Sequence, residues 1–202
     1  MFITFEGIDG SGKSTQARLL AERLRATGRD IVLTREPGGA PGAEDIRRLL
    51  VEGDPGRWSA ETEILLFTAA RRDHLECTIR PALDRGAVVI SDRFADSTRV
   101  YQGAVRSRLR ATVDALHDLM IGIEPDLTLI LDTDPDAALS RGLARSSGED
   151  RFEEMGAAFQ HALRAGFRDL AQASPGRCVL LDGDRAVAEV AADVARVVGE
   201  RL

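Results

Sequence analysis

Gly7-Ile8-Asp9-Gly10-Ser11-Gly12-Lys13-Ser14-Thr15 is the stretch that decides the fold. Its first eight residues fit G-x-x-x-x-G-K-[ST]. In that loop backbone N–H groups cradle phosphates, the lysine reaches the β- and γ-phosphates, and the hydroxyl holds Mg2+. The flanking sequence agrees. Phe2-Ile3-Thr4-Phe5 is a short β-prone run, and Gln16 to Leu24 is an amphipathic helical pattern. The loop therefore stands at a helix N-terminus, where unpaired N–H groups and the macrodipole draw anions. Of the 27 Lys and Arg residues, Lys13 is the single lysine. A compact ammonium suits a cramped phosphate site better than a guanidinium fork. The stretch reads as a nucleotide phosphate site.

Working outward, short apolar runs alternate with helical patterns. Strands are expected at 2–5, 30–34, 87–91, 127–131 and 177–181. Helices are expected at 43–52, 109–122, 135–145, 153–173 and 186–201. A longer helix opens at a Ser59 cap and runs from 60 to about 84, with Pro81 as the point where it would kink. Five continuous apolar strands separated by helices mean βαβ units. The fold class is α/β, a P-loop NTPase three-layer fold with a five-stranded parallel sheet and helices on both faces. No linker or repeat divides the chain, so 1–202 is expected to be one domain, with a lid at about 141–153 inside it.

Composition bounds the function. Of 202 residues 44% are hydrophobic and 30% charged, ordinary for a globular protein. The balance of 33 acidic against 27 basic residues gives −6, which argues against nucleic-acid or anionic-membrane partners. Cys77 and Cys178 lie in no C-x-x-C, so free and mostly buried thiols are expected rather than a disulfide or zinc site. No leader-like N-terminus and no apolar run of about 18 residues is present, and a cytoplasmic location is the expectation.

In parallel sheets ligands bind at the carboxyl ends of the strands. Charged residues gather there: Glu6-Gly7, Arg35-Glu36, Asp92-Arg93, Asp132 and Asp182. Asp92 stands where a Walker-B acid holds Mg2+ or its waters, and Arg93 can bridge two phosphoryl groups. Phe67 and Arg71 are four apart on the long helix and share a face, so a ring and a fork could take a base between them. His74, His117 and His161 lie in helical patterns without ligand spacing, and no chemistry is assigned to them.

Together these residues resemble the thymidylate kinase family over nearly the whole chain. The likeness rests on Phe5 to Thr15, Thr34-Arg35-Glu36-Pro37-Gly38-Gly39, Leu66 to Arg71, and Asp92-Arg93-Phe94. It continues through Ser97-Thr98 with Tyr101-Gln102-Gly103, Pro125 to Thr128, and Asp150 to Glu153. The resemblance implies ATP-dependent, Mg2+-assisted phosphoryl transfer to dTMP in dTTP synthesis. It implies that Gly7 to Thr15 bind ATP, with Ser14, Asp92 and Asp9 toward the metal. It implies that Asp9, Glu36, Pro37, Phe67, Arg71, Arg93, Ser97, Thr98, Tyr101 and Gln102 hold dTMP. Within that set Phe67 stacks on thymine, Arg71 bonds a base carbonyl, Thr98 faces the pyrimidine edge and Tyr101 crowds a ribose 2′-OH. Catalysis would fall to Lys13 and Arg93, with Arg141, Arg145 and Arg151 in the lid. A homodimer through helices that include the segment 60–84 is implied as well.

An acceptor phosphate is largely a dianion at neutral pH, its second pKa being about 6, so no general base is needed. A deoxynucleoside kinase attacks with a hydroxyl and would want one, and Glu36 is the only well-placed carboxylate. The guanine-reading Asn-Lys-x-Asp of switch GTPases is impossible, because the chain has no Asn and its lysine is in the loop.

Overall fold

The computed structural model describes residues 1–54, 56–106, 109–138 and 155–202, with backbone alone at 104–106. Strands β1 (Phe2–Glu6), β2 (Ile31–Arg35), β3 (Val88–Asp92), β4 (Leu127–Asp132) and β5 (Cys178–Asp182) form one sheet in the order β2-β3-β1-β4-β5. Every pairing is parallel, and the register sets Phe5 beside Asp92, Arg35 beside Asp92, and Asp132 beside Asp182. The charged residues that end each strand therefore emerge along one edge.

Helices cover both faces, which is why the strands read as unbroken apolar runs. On one face α1 (Lys13–Arg25) and α8 (Val187–Gly199) bury Leu20, Leu24, Val190 and Val194 against Ile3, Phe5, Ile90 and Leu129. The opposite face is packed in two patches. One gathers Phe2, Leu75, Ile79, Val89 and Phe94. The other sets Leu163, Phe167 and Leu170 of α7 (Ala157–Ala173) on Ile130, Val100 and Tyr101. Described helices cover both faces of the central strands, which leaves the carboxyl ends of those strands as the approach for a ligand.

The remaining helices are α2 (Pro41–Val51), α3 (Ala60–His74), α4 (Arg80–Asp84), α5 (Ala95–Thr98) and α6 (Arg110–Met120). Ser59 Oγ accepts the Thr62 N–H at 3.2 Å, the expected cap of α3. The long helix does not break at Pro81. It widens into a π-helical turn, Leu75–Ile79, and resumes as α4. Proline lacks an N–H and its ring collides with the carbonyl four residues back, and a wider turn accommodates both.

Two sequence expectations change, and a stretch to which the sequence assigned no element is folded as helix. The stretch after Asp92-Arg93 is helical, through α5 and a π-helical segment Arg99–Arg106, although Thr98, Val100, Tyr101 and Gly103 disfavour helix. Burial of Val100 and Tyr101 under α7 overrides that local preference. The helix expected at 153–173 begins at Ala157, and the one at 135–145 is described only to 138. Cys178 is buried but Cys77 is exposed, and both thiols are free.

Candidate active site

The phosphate loop joins β1 to α1. Gly10 has φ +78°, and a Cβ there would run into the Ala138 carbonyl, so only bare backbone passes. Gly12, at φ +97°, turns the chain into α1 and leaves the helix N-terminus without a side-chain cap. Its first amides are thus free for an anion. Lys13 folds back over the loop, donating to Ile8 O at 2.6 Å and to Ser11 Oγ at 3.4 Å. Burial and the nearby Arg93 charge pull the Lys13 pKa down to about 8. Phosphate oxygens would reverse that pull, because they return an anionic partner to a desolvated ammonium. Gly10, Ser11, Gly12 and Thr15 also border a second hollow, closed by Gln16, Gly183, Arg185 and Val187.

Ser14 Oγ donates to Asp92 Oδ2 at 2.5 Å, joining α1 to the end of β3. Asp92 Oδ1 is buried and has no hydrogen-bond partner among the described residues. A hydroxyl beside a carboxylate with one unspent oxygen suits Mg2+, which takes one or two protein oxygens and completes its shell with phosphates and water. Asp9, the third metal candidate, has both oxygens engaged: Oδ1 accepts from Arg93 Nη2, and Oδ2 from the Tyr101 hydroxyl at 2.9 Å. Burial works to raise the Asp9 pKa, but the Arg93 and Lys13 charges hold it below the ordinary value.

All ten residues expected at the acceptor line one cavity of about 190 Å3: Asp9, Glu36, Pro37, Phe67, Arg71, Arg93, Ser97, Thr98, Tyr101 and Gln102. The cavity lies between the end of β3, the α5 segment and α3. Arg93 crosses it. Its Nη1 donates to Gly7 O at 3.2 Å and Ser97 Oγ at 2.8 Å, and its Nη2 to Asp9 and, at 3.1 Å, to the Tyr101 oxygen. The guanidinium carbon is 5.1 Å from the Tyr101 ring centre. Arg93 therefore touches the phosphate loop and this cavity at once.

Arg93 also holds φ +71°, a conformation that L-residues rarely adopt. Glu6 sits beneath that turn. Its Oε1 accepts Phe94 N–H at 2.8 Å and Ser97 N–H at 3.2 Å, and its Oε2 the Ser97 hydroxyl at 2.6 Å. Burial, with the Asp96 charge adding to it, pushes the Glu6 carboxyl up to about 7. By sequence alone Glu6 is a charge that follows a strand. Its signal was there: an acid ending an otherwise apolar central strand.

Arg71 donates from Nε to Glu36 Oε2 at 2.7 Å, and from Nη2 to Thr98 Oγ1 at 3.0 Å and Phe94 O at 3.3 Å. The second Glu36 oxygen is 3.0 Å from His74 Nδ1. Burial works to raise the Glu36 pKa, but Arg71 first and His74 after it bring it below the usual range. A carboxylate so engaged is a poor proton acceptor, which speaks against Glu36 as the base of a nucleoside kinase. Gln102 Nε2 donates to Glu63 Oε2 at 3.1 Å. Arg47, Val51 and Phe94 line the cavity too and were not foreseen. Arg47 donates to Pro37 O at 2.5 Å, and nothing in the sequence of α2 separates it from its neighbour Arg48. Arg141, Arg145 and Arg151 lie outside the described residues.

A family model described as thymidylate kinase matches residues 5–194. A thymidylate kinase of Dinoroseobacter shibae is 76% identical over 95% of this chain and 93% of its own. One of Ruegeria pomeroyi is 67% identical over 98% and 94%. The crystal structure of thymidylate kinase from Ehrlichia chaffeensis superposes with a TM-score of 0.80 at 38% identity, covering 98% of each chain.

Proposed function

The chain belongs to the thymidylate kinase family, and from that premise we propose how its residues divide the work. The reaction is phosphoryl transfer from a nucleotide donor to dTMP, the step toward dTTP. The donor in our reading is ATP. Mg2+, when bound at Ser14 and Asp92, supplies charge neutralisation between the donor phosphates. Lys13 and the loop amides grip those phosphates.

On the acceptor side Phe67 stacks on thymine and Arg71 offers its guanidinium edge to a base carbonyl. Thr98 and Gln102 stand along the base edge, with Pro37 and Glu36 closing the far wall. Ser97 steadies Arg93, and Arg93 receives the dTMP phosphate. Asp9 and Tyr101 keep Arg93 in place, and the Tyr101 ring fills the room a 2′-hydroxyl would need. Two anions must approach in line, so the protein's task is positioning and screening rather than proton removal. The observation that carries this reading is the convergence of ten motif residues on one cavity beside the Lys13 loop.

A coupled assay with ATP and Mg2+ against nucleosides and monophosphates tests it. The highest kcat/KM should belong to dTMP, with thymidine inert. Faster turnover of AMP, CMP or GMP, or of any nucleoside, would overturn it. We also propose a cytoplasmic homodimer. In support, no described helix is long and apolar enough to cross a membrane. Leu65 of α3 and Leu119 of α6 also leave apolar side chains exposed.

A further inference from the structure

Behind Arg71 runs a chain of hydrogen-bonded side chains, most of them buried. Arg71 Nε holds Glu36 Oε2, Glu36 Oε1 holds His74 Nδ1, and His74 Nε2 meets Thr34 Oγ1 at 2.7 Å. His74 is fully buried, and Arg71 and Glu36 are nearly so. The chain links three elements: Thr34 on β2, Glu36 on the loop after it, and Arg71 with His74 one turn apart on α3. With the Nδ1 proton directed at Glu36, Nε2 accepts the Thr34 hydroxyl proton, and a neutral imidazole is satisfied at both nitrogens.

The backbone closes over this ring. Gly39 has φ +84°, and a Cβ there would strike both Thr34 Oγ1 and His74 Nε2. Thr78 Oγ1 then donates to Gly39 O at 2.7 Å, fixing that loop to the π-helical turn. The imidazole is thus enclosed by the same loop that supplies Glu36.

The consequence falls on Arg71. A guanidinium on a flexible stem can read a base only if its plane is fixed before the base arrives. Nε is committed to Glu36, and Nη2 to Thr98 and Phe94 O, while Nη1 has no partner among the described residues. The plane is set by two anchors, and the Glu36 anchor is itself oriented by His74. We propose that His74, braced by Thr34, is a positioning residue for the acceptor base, acting through Glu36 to fix the Arg71 guanidinium. The proposal rests on the reading of this cavity as the dTMP site.

The experiment compares His74→Leu, His74→Asn and Thr34→Val with the wild-type enzyme, measuring KM for dTMP, KM for ATP and kcat. Asparagine can still donate from a position near Nδ1, whereas leucine cannot. His74→Leu should raise the dTMP KM about tenfold or more while the ATP KM and kcat stay within about threefold. His74→Asn should recover most of that loss, and Thr34→Val should show a smaller rise in the same parameter alone. In an Arg71→Ala background, adding His74→Leu should change the dTMP KM by less than about twofold, because the residues act in series. An unchanged dTMP KM in His74→Leu overturns the proposal. Parallel rises in both KM values, an asparagine variant no better than leucine, or full additivity with Arg71→Ala do the same. Should His74→Leu not fold, Thr34→Val decides alone: a selective rise in dTMP KM supports the proposal and no rise refutes it. The wild-type enzyme in the same assays reports separately on the dTMP reading, since failure to phosphorylate dTMP would show before any variant is compared.

Discussion

A carboxyl at the end of a central strand loses the water that stabilises its charge, and Glu6 pays that penalty under the Arg93 turn. Burial and the Asp96 charge raise it from 4.5 to about 7. Between those values the folded protein keeps a proton that the unfolded chain has released, so stability falls as pH rises from about 4.5 to about 7. The full effect is roughly 3 kcal/mol. Glu36 and Asp96 run the other way. Burial opposes their charge, but Arg71 and Arg177 respectively hold each pKa below its ordinary value. Their contribution is present above the unfolded pKa and lost as pH drops through the folded one. Glu6→Gln keeps an oxygen for the Phe94 and Ser97 amides and presents an NH2 that the Ser97 hydroxyl can accept. Urea unfolding should find Glu6→Gln more stable than wild type at pH 8, with the gap narrowing at pH 5. A gap equal at both pH values would mean that Glu6 stays ionised in the fold. Such partnerships are what sequence hides. Lys13, Arg93 and Phe67 are legible because a motif or a helical spacing carries them, whereas Glu6 and His74 gain meaning only from partners 91 and 40 residues away.

At the scale of elements, all five strands and their parallel pairing were legible, because sheets covered on both faces need unbroken apolar runs. The helix at Ala95–Thr98 was not, since its warrant is tertiary: Glu6 receives two of the amides at its start. The lid expected at about 141–153 lies outside the described residues. Among the described residues the phosphate loop brings one cation of its own, Lys13. The arginines of α7 nearest the end of β4 are already committed, Arg164 and Arg168 each donating to Asp132 at 2.6 Å. On the reading proposed above, charge that spreads over the transferring phosphoryl then falls to Arg93 and to 141–153. Arginine fingers are worth about 10³–10⁵ in turnover, so alanine at one of Arg141, Arg145 or Arg151 should lower kcat by about 10³ with a lesser effect on KM. Arg145 is our choice, as the last arginine before the Ser146-Ser147-Gly148 stretch of the expected lid. Steady-state kinetics on the three single variants checks this. If every kcat stayed within about tenfold of wild type, the lid would be a cover only and Arg93 the sole catalytic arginine.

The whole molecule leaves apolar side chains uncovered in neighbouring places. Single exposed leucines are common and need no explanation. Here Leu119 is 78% exposed and Leu65 59%, with Met120 at 40% beside Leu119. The two helices that carry them are tied together, since Arg72 Nη1, one heptad after Leu65 on α3, donates to Met120 O at 2.7 Å. A two-fold axis that sets this face against its own copy would cover the same patch on both protomers. Sedimentation equilibrium should then give twice the 21.9 kDa chain mass for the wild type. Leu65→Glu or Leu119→Glu would set like charges facing each other in a desolvated interface, and each variant should sediment near the chain mass. A folded wild type at the chain mass, or glutamate variants that remain double, would sink the dimer. In such a dimer the helix would link assembly to the cavity, because Phe67 and Arg71 belong to the same α3 as Leu65. If the partner steadies α3, the monomeric variants should lose affinity for dTMP while ATP affinity holds, since Lys13 and Ser14 lie on α1, across the sheet from that helix.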